Sequence, residues 1–326
     1  MNPPASLALN LYVDERVAEA VRAGLASQPK RLPPWLFYDE AGSKLFEAIT
    51  ELPEYYLTRT ERGILAKHSA DMIAHAAGGR QLRIVELGAG SADKTRLVLA
   101  AAVERQGAVH YEPLDVSASA LDAACRRIEC EISGVTVMPR VMDYTNGLTF
   151  MPARHGERRL VLYIGSSIGN FEPFEALHLL RRVRARLQPG DGLLLGVDRV
   201  KDEATLLAAY DDAAGVTAAF NRNLLARLNR ELGADFNPEA FAHRAVWNQA
   251  KSRIEMHLET SAAQRVRLTA LDFDVEFAPG ETIHTENSYK FAPGKAEALL
   301  AEAGFAVAAT WTDAEGWFTV SLGQVE

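Results

Sequence analysis

Apolar residues recur along this chain in two alternating rhythms: short runs that suit strands, and spaced positions that suit one face of a helix. The run Leu-Arg-Ile-Val-Glu-Leu predicts a strand over 82–87. It meets the turn Gly88-Ala89-Gly90-Ser91, and a helical pattern follows from Asp93 to about Val103. A second cycle has a strand over 109–114 ending in Asp115, then Ser117 or Ser119 as a helix cap, with apolar spacing through Leu121 and Ile128. The third strand is expected over 135–141, ending in Asp143-Tyr144. Residues 160–164 are almost wholly apolar, the pattern of a strand covered on both faces, and they lead into Gly165-Ser166-Ser167-Ile168-Gly169-Asn170. A helix over about 173–187, a turn at 188–192 and a fifth strand over 193–197 complete the series.

This alternation predicts an α/β fold, a doubly wound parallel sheet whose ligand crevice lies at the carboxyl ends of the strands. After Lys201 the rhythm changes to a long helical region over 204–232, which contains Tyr210. Two extended stretches with period-two patterning follow, over 245–258 and 266–277, and they do not continue the sheet. The end of the chain predicts a helix over 296–304 and a hairpin of 305–311 with 317–322. No internal repeat or long linker separates these regions, so any second domain is expected to pack tightly on the first.

Composition narrows the function. The chain has 326 residues, enough for one large or two interleaved domains. Its 35 Lys and Arg against 43 Asp and Glu leave a net charge of -8, with no basic stripe, which argues against nucleic acid as the main ligand. No apolar run approaches the ~18 residues of a membrane span. Met1-Asn2-Pro3-Pro4 lacks the charged and apolar regions of a secretory signal, so a cytoplasmic protein is expected. Cys125 and Cys130 lie five apart in one predicted helix, on different faces, and are expected to be reduced packing residues. The histidines show no metal-ligand spacing, so no metal site is expected.

Gly88 and Gly90 stand where backbone must approach a ligand, between a strand and a helix N-terminus. The dinucleotide fingerprint wants a third glycine where this chain has Asp93, and Lys94 has the wrong spacing for a phosphate loop. Asp115, at the tip of the next strand, is placed to accept hydrogen bonds from ribose hydroxyls. Asp143, at the third strand tip, is placed for the exocyclic amine of adenine, and Tyr144 offers a flat face for the ring. A nucleoside without a diphosphate fits these groups, and S-adenosylmethionine is the common cofactor of that description.

The chain also resembles the bacterial histidine-specific methyltransferases of ergothioneine biosynthesis, over nearly its whole length. The stretches that carry the resemblance are Phe37-Tyr38-Asp39-Glu40, Leu52-Pro53-Glu54-Tyr55-Tyr56-Leu57-Thr58-Arg59, Ile168-Gly169-Asn170, Ala209-Tyr210-Asp211-Asp212-Ala213-Ala214-Gly215-Val216-Thr217, Asn221-Arg222-Asn223, Ile254-Glu255-Met256 and Thr285-Glu286-Asn287-Ser288. The resemblance implies a class I, Rossmann-like methyltransferase domain of residues 60–197 plus 287–326, and a smaller α+β substrate-binding domain of residues 12–59 plus 198–286. Carried over by position, Gly88, Lys94, Asp115, Asp143 and Tyr144 would hold S-adenosylmethionine, with Gly90 in the same turn. Tyr56, Asn170 and Tyr210 would hold the amino acid's α-amino and carboxylate groups. Glu286 and Ser288 would read the imidazole, with Met256 packed beside it and Asn287 in the same motif. The segment Ser91-Ala92-Asp93 departs from the family's forms, which bears on the cap of the following helix.

The implied reaction is Nα-trimethylation of L-histidine to hercynine, with a small-molecule partner and no nucleic acid, membrane or obligate protein partner. Methyl transfer from a sulfonium requires a neutral amine in line with the S–CH3 bond at about 3–3.5 Å, so positioning dominates. Tyr38, Tyr56 and Asn170 are the catalytic candidates. Tyr38 or Tyr56 could relay a proton through water, but a phenol pKa of about 10 makes neither an obvious base, and the base stays open. Two other readings are weighed. A methyltransferase of another amino acid such as tryptophan is disfavoured by Glu286, because an indole offers no second ring nitrogen. A non-catalytic nucleoside-binding module is disfavoured by the complete polar set.

Overall fold

A computed structural model describes residues 13–145, 147–152, 154 and 156–326, apart from the side chain of Ser119. Met1-Asn2-Pro3-Pro4, residue 12 as a domain start and Ser119 as a cap therefore lie outside the described residues. The chain opens with α1 (Glu15–Ala26), whose first turn is capped by the Asp14 carboxylate accepting from the Arg16 N–H at 2.9 Å. The short strand β1 (Lys30–Arg31), α2 (Glu40–Thr50) and α3 (Tyr56–Ala77) follow. Then come β2 (Gln81–Leu87), α4 (Thr95–Gln106), β3 (Val109–Asp115), α5 (Ala118–Glu131), β4 (Val135–Val137) and β5 (Arg140–Val141). The winding ends with β6 (Glu157–Tyr163), α6 (Pro173–Arg184) and β7 (Gly192–Asp198).

Two helices, α7 (Glu203–Ala208) and α8 (Val216–Leu232), lead to β8 (Phe241–Asn248), β9 (Arg253–Thr260), β10 (Gln264–Leu268), β11 (Phe273–Phe277) and β12 (Thr282–Tyr289). The chain closes with α9 (Lys295–Glu302), β13 (Ala306–Thr312) and β14 (Phe318–Gln324).

The central sheet runs β13-β14-β7-β6-β2-β3-β4, with β5 also on β3. Its pairings are parallel from β7 to β4 and antiparallel at β14 and β13. Alternation along each strand divides its side chains between two cores. Leu160 and Leu162 face a core built with α3, α4 and α5, while Val161 and Tyr163 face one built with α6 and α9. The chain starts at β2, moves to β3 and β4, then returns to β6 on the other side of β2. A crevice therefore opens between the carboxyl ends of β2 and β6.

A second sheet, β1-β12-β9-β8, shares a separate core with α1, α2 and α8. β12 ties the two sheets together, because the chain just beyond it pairs with the end of β7. The Phe291 N–H donates to the Asp198 carbonyl at 2.9 Å. The expected borders at 59/60 and 286/287 fall inside α3 and β12 respectively.

The structure corrects several expectations for individual elements. The third strand is two pieces, β4 and β5, interrupted at Pro139, which has no N–H to give to a ladder. The long helix over 204–232 breaks between α7 and α8, where Gly215 has φ +73° and the Asp212 carboxylate accepts from the N–H groups of Val216 and Thr217 at 2.9 and 2.7 Å. The stretch over 245–258 is β8 and β9 with a turn between them, the stretch over 266–277 is a β10–β11 hairpin, and β12 was not foreseen as a strand. The terminal hairpin extends the central sheet through β14 on β7. Cys125 is buried but Cys130 is exposed, because five residues turn a helix by about 140°, so only Cys125 packs in the interior. Among the described residues no helix is long and apolar enough to cross a membrane.

Candidate active site

The crevice holds a cavity of about 920 Å³, lined among others by Glu86, Gly88, Gly90, Lys94, Asp115, Asp143 and Tyr144. Local sequence explains this end. β2 stops at Leu87, and Gly88 turns at φ +71° while its N–H donates to the Leu114 carbonyl at 2.8 Å. A Cβ on Gly88 would lie 3.4 Å from the Tyr144 hydroxyl, so a side chain would crowd the cradle. The Asp115 carboxylate accepts from the N–H of Gly90 and of Ser117, both at 2.9 Å, and burial pushes its pKa up against those bonds. Ser117 also caps α5.

Asp143 accepts from the N–H of Thr145 at 2.9 Å and pairs with Arg16 of α1 at 2.7 Å. Lys94 donates to Glu61, which also accepts from the Gly165 N–H at 2.9 Å and so links the β2 turn to the β6 turn. Glu86 accepts from Thr95 at 2.6 Å and from Tyr111, and burial raises its pKa to about 7. α4 starts without a side-chain cap: Ala92 has φ +53°, and Asp93 pairs with Arg62 and Arg96 instead. This end is concave, apolar in its walls and ringed by carboxylates and turning backbone, which suits a nucleoside bearing a cationic sulfonium.

A smaller cavity of about 50 Å³ adjoins the first. Tyr38, Phe46, Tyr55, Leu57, Gly165, Ser167 and Asn170 line both, so any groups bound in the two would meet at this shared wall. Tyr210, Thr217, Phe220, Met256, Glu286 and Ser288 line the small cavity alone. Its walls come from both lobes. Asn170 sits on a short turn after β6, and that turn packs closely on β12: a Cβ on Gly169 would lie 2.9 Å from the Tyr289 carbonyl oxygen. Met256 of β9 stands opposite Glu286 of β12 in the antiparallel register. Burial raises the Glu286 pKa to about 7, opposed by the charge of Lys290 and a hydrogen bond from Asn170.

Tyr210 lies in the break between α7 and α8 rather than mid-helix, and its hydroxyl is 2.7 Å from that of Ser288. Burial pushes the Tyr38 phenol well above 10, so it stays protonated. Tyr38, Phe46 and Phe220 stand with ring centroids 5.7 to 6.0 Å apart, an aromatic wall around the cavity.

Two expected site residues are elsewhere. Tyr56 lines neither cavity. Its hydroxyl donates to Asp198 at 2.7 Å and accepts from Lys201 at 2.7 Å, inside the protein. Its neighbour Tyr55, just before α3, faces the site instead, because successive residues there point in different directions. Asn287 also turns away, since it alternates with Glu286 and Ser288 along β12, and its amide faces Glu172 at 3.4 Å. Sequence reasoning passed over Tyr55, Phe46 and Thr217, although Tyr55 and Thr217 lie inside motifs it singled out. Among the described residues no group of three or more His, Cys, Asp or Glu could hold a metal ion.

The family described as histidine-specific methyltransferase, SAM-dependent, matches residues 17–325. The chain is 49% identical over 320 residues to the histidine N-alpha-methyltransferase of Mycolicibacterium smegmatis, covering 97% of this chain and 98% of that one. It is 48% identical over 302 residues to the protein of the same name from Mycobacterium tuberculosis, covering 93% and 92%. Ergothioneine biosynthesis protein 1 of Neurospora crassa is 29% identical over 300 residues, which is 87% of this chain and 32% of that longer protein.

Proposed function

Since this chain belongs to the histidine-specific, S-adenosylmethionine-dependent methyltransferases, we propose that it methylates the α-amino nitrogen of L-histidine three times, forming hercynine on the route to ergothioneine. The observation that carries this reading is the shared wall: a small pocket lined by Glu286 and Ser288 among aromatic and apolar side chains adjoins a nucleoside-sized crevice. We take the central-sheet lobe as the cofactor-binding part and the lobe of the second sheet as the cover of the amino-acid site.

S-adenosylmethionine, when bound, supplies an electrophilic methyl carbon on a sulfonium. The chain's own residues do the rest. Asp115, already held by two backbone N–H groups, presents carboxylate lone pairs to ribose hydroxyls. Asp143 and Tyr144 stand where the adenine would lie. Lys94, tied to Glu61, braces the turn beside them. At the shared wall Asn170, Tyr55 and Tyr38 orient the amino group, and Glu286 and Ser288 take the two ring nitrogens from one face of β12. The wall also suits the product. As methyl groups replace N–H bonds, the α-nitrogen becomes a permanent cation without donors, and the faces of Tyr38, Phe46 and Tyr55 attract such a cation without hydrogen bonds. Tyr38 stays a phenol, so it serves as a hydrogen-bonding group and not as a resident base.

The test is direct incubation with S-adenosylmethionine and each of the common amino acids, read by mass spectrometry. Histidine alone should gain one, two and then three methylene increments; methylation of another amino acid at a higher kcat/KM would overturn the substrate reading.

A further inference from the structure

Beneath the floor of the amino-acid pocket lies a lysine with no side-chain exposure at all, Lys290, at the end of β12. Its ammonium has three N–H donors and makes three contacts: the Tyr210 hydroxyl at 2.8 Å, the Ser288 hydroxyl at 2.9 Å and the Asp198 carboxylate at 2.8 Å. Two of these are hydrogen bonds to the hydroxyls, and the third is an ion pair with a carboxylate that Lys201 shares, its ammonium 2.6 Å from the other carboxylate oxygen. Lys290 does not line either cavity, so nothing it does is done by touching a ligand.

The proton count at the two hydroxyls is decisive. Tyr210 and Ser288 each own one hydrogen and each accept from Lys290. They also lie 2.7 Å apart, so one of them spends its hydrogen on the other. The hydroxyl that accepts twice has no lone pair left, and its own hydrogen must point outward. Whichever of the two it is, the pair offers the pocket a hydrogen-bond donor. Beside it stands Glu286: burial raises its pKa to about 7, the nearby Lys290 charge opposes that shift, and the ionised carboxylate is an acceptor. A donor and an acceptor side by side match a neutral imidazole, which has one bare nitrogen and one N–H.

We propose that Lys290 is a positioning residue that sets the hydrogen-bond polarity of the ring-reading pocket, turning the Tyr210–Ser288 pair into a donor opposite the Glu286 acceptor. The inference rests on the histidine reading above and adds the form in which the ring is recognised. It also makes Asp198 part of specificity, because that carboxylate holds Lys290 in place without reaching the pocket.

The test measures binding by calorimetry on the full chain saturated with S-adenosylhomocysteine, using L-histidine and 3-(2-thienyl)alanine, an analogue of similar ring size without ring nitrogens. The wild-type protein should prefer histidine, and Lys290→Met should lose at least about tenfold of that preference while binding S-adenosylhomocysteine within about twofold of wild type. A role in packing alone would weaken both ligands together, so a retained preference in a variant that still binds S-adenosylhomocysteine overturns the inference. A second measurement needs no variant. The 4- and 5-thiazolyl isomers of 3-thiazolylalanine place one bare nitrogen and no N–H at the Nδ1 and the Nε2 position of the histidine ring respectively. The better of them should bind wild type several-fold more tightly than thienylalanine, and equal affinity means there is no outward donor and overturns the inference. Failure of the histidine reading itself looks different: wild type would show no preference for histidine and would not methylate it.

Discussion

The two ends of the cleft are built on different plans. At the cofactor end the polar groups sit on strand tips and the turns that follow them, and Gly88, Gly90 and Asp115 are joined by bonds to backbone. At the amino-acid end they are side chains from segments far apart in sequence, Tyr55, Asn170, Tyr210 and Glu286, underlaid by a second layer of side chains around Asp198 and Lys290. A nucleoside is common to many reactions and a backbone cradle serves it. Telling one amino-acid ring from another requires donors and acceptors placed to match that ring, and hydroxyls acquire a fixed polarity only from partners of their own.

If the ends are separate, substitutions at each should act on one ligand alone. Glu286→Ala should raise the histidine KM by roughly 10- to 150-fold, the worth of one hydrogen bond to a charged group, and leave S-adenosylhomocysteine affinity nearly unchanged. Asp115→Ala should do the converse, weakening S-adenosylmethionine and S-adenosylhomocysteine alike by a similar factor, as read by calorimetry. Either variant striking both ligands equally would break the division, and Glu286→Ala keeping the wild-type kcat/KM for histidine would remove the acid from the ring.

A smaller effect sharpens the electrostatic side. The Glu286 pKa stands near 7 against an ordinary 4.5, so the folded, unliganded protein holds a proton there that the unfolded chain releases. Between those values stability from this group falls as pH rises, and above about 7 the loss is complete. Glu286→Gln does not titrate, so its Tm relative to wild type should climb by a few degrees from pH 5 to pH 8. A difference in Tm that is flat with pH would show the carboxyl to be unstrained.

Smaller again is the Arg16–Asp143 pair, with the Arg16 side chain 39% exposed. If Asp143 takes the adenine amine, that pair competes. Arg16→Ala should then tighten S-adenosylhomocysteine by no more than about fivefold, the scale of an exposed ion pair, and weaker binding would assign Arg16 to the site. The least effect is expected at the cysteines. Cys130 should be alkylated rapidly in the native protein and Cys125 slowly, with no loss of activity, since neither lines the cleft.

The sequence by itself determined the central sheet and the cofactor turn. Short apolar runs, a glycine turn and an acid at the next strand tip are local patterns, and each constrains its own few residues whatever lies elsewhere. The lining of the small cavity was legible through motifs, at Asn170, Tyr210, Met256, Glu286 and Ser288, but not the direction of each side chain. Tyr55 and Tyr56 are chemically equal neighbours, and only the start of α3 against the second lobe decides that Tyr55 faces the site while Tyr56 binds Asp198. Asn287 reads as part of the motif until β12 pairs with β9 and its alternation turns that side chain away. Lys290 carries no local sign of its place. It lies under the pocket because the chain beyond β12 docks on the end of β7, bringing together residues 198 and 290, and with them a carboxylate against the sealed lysine.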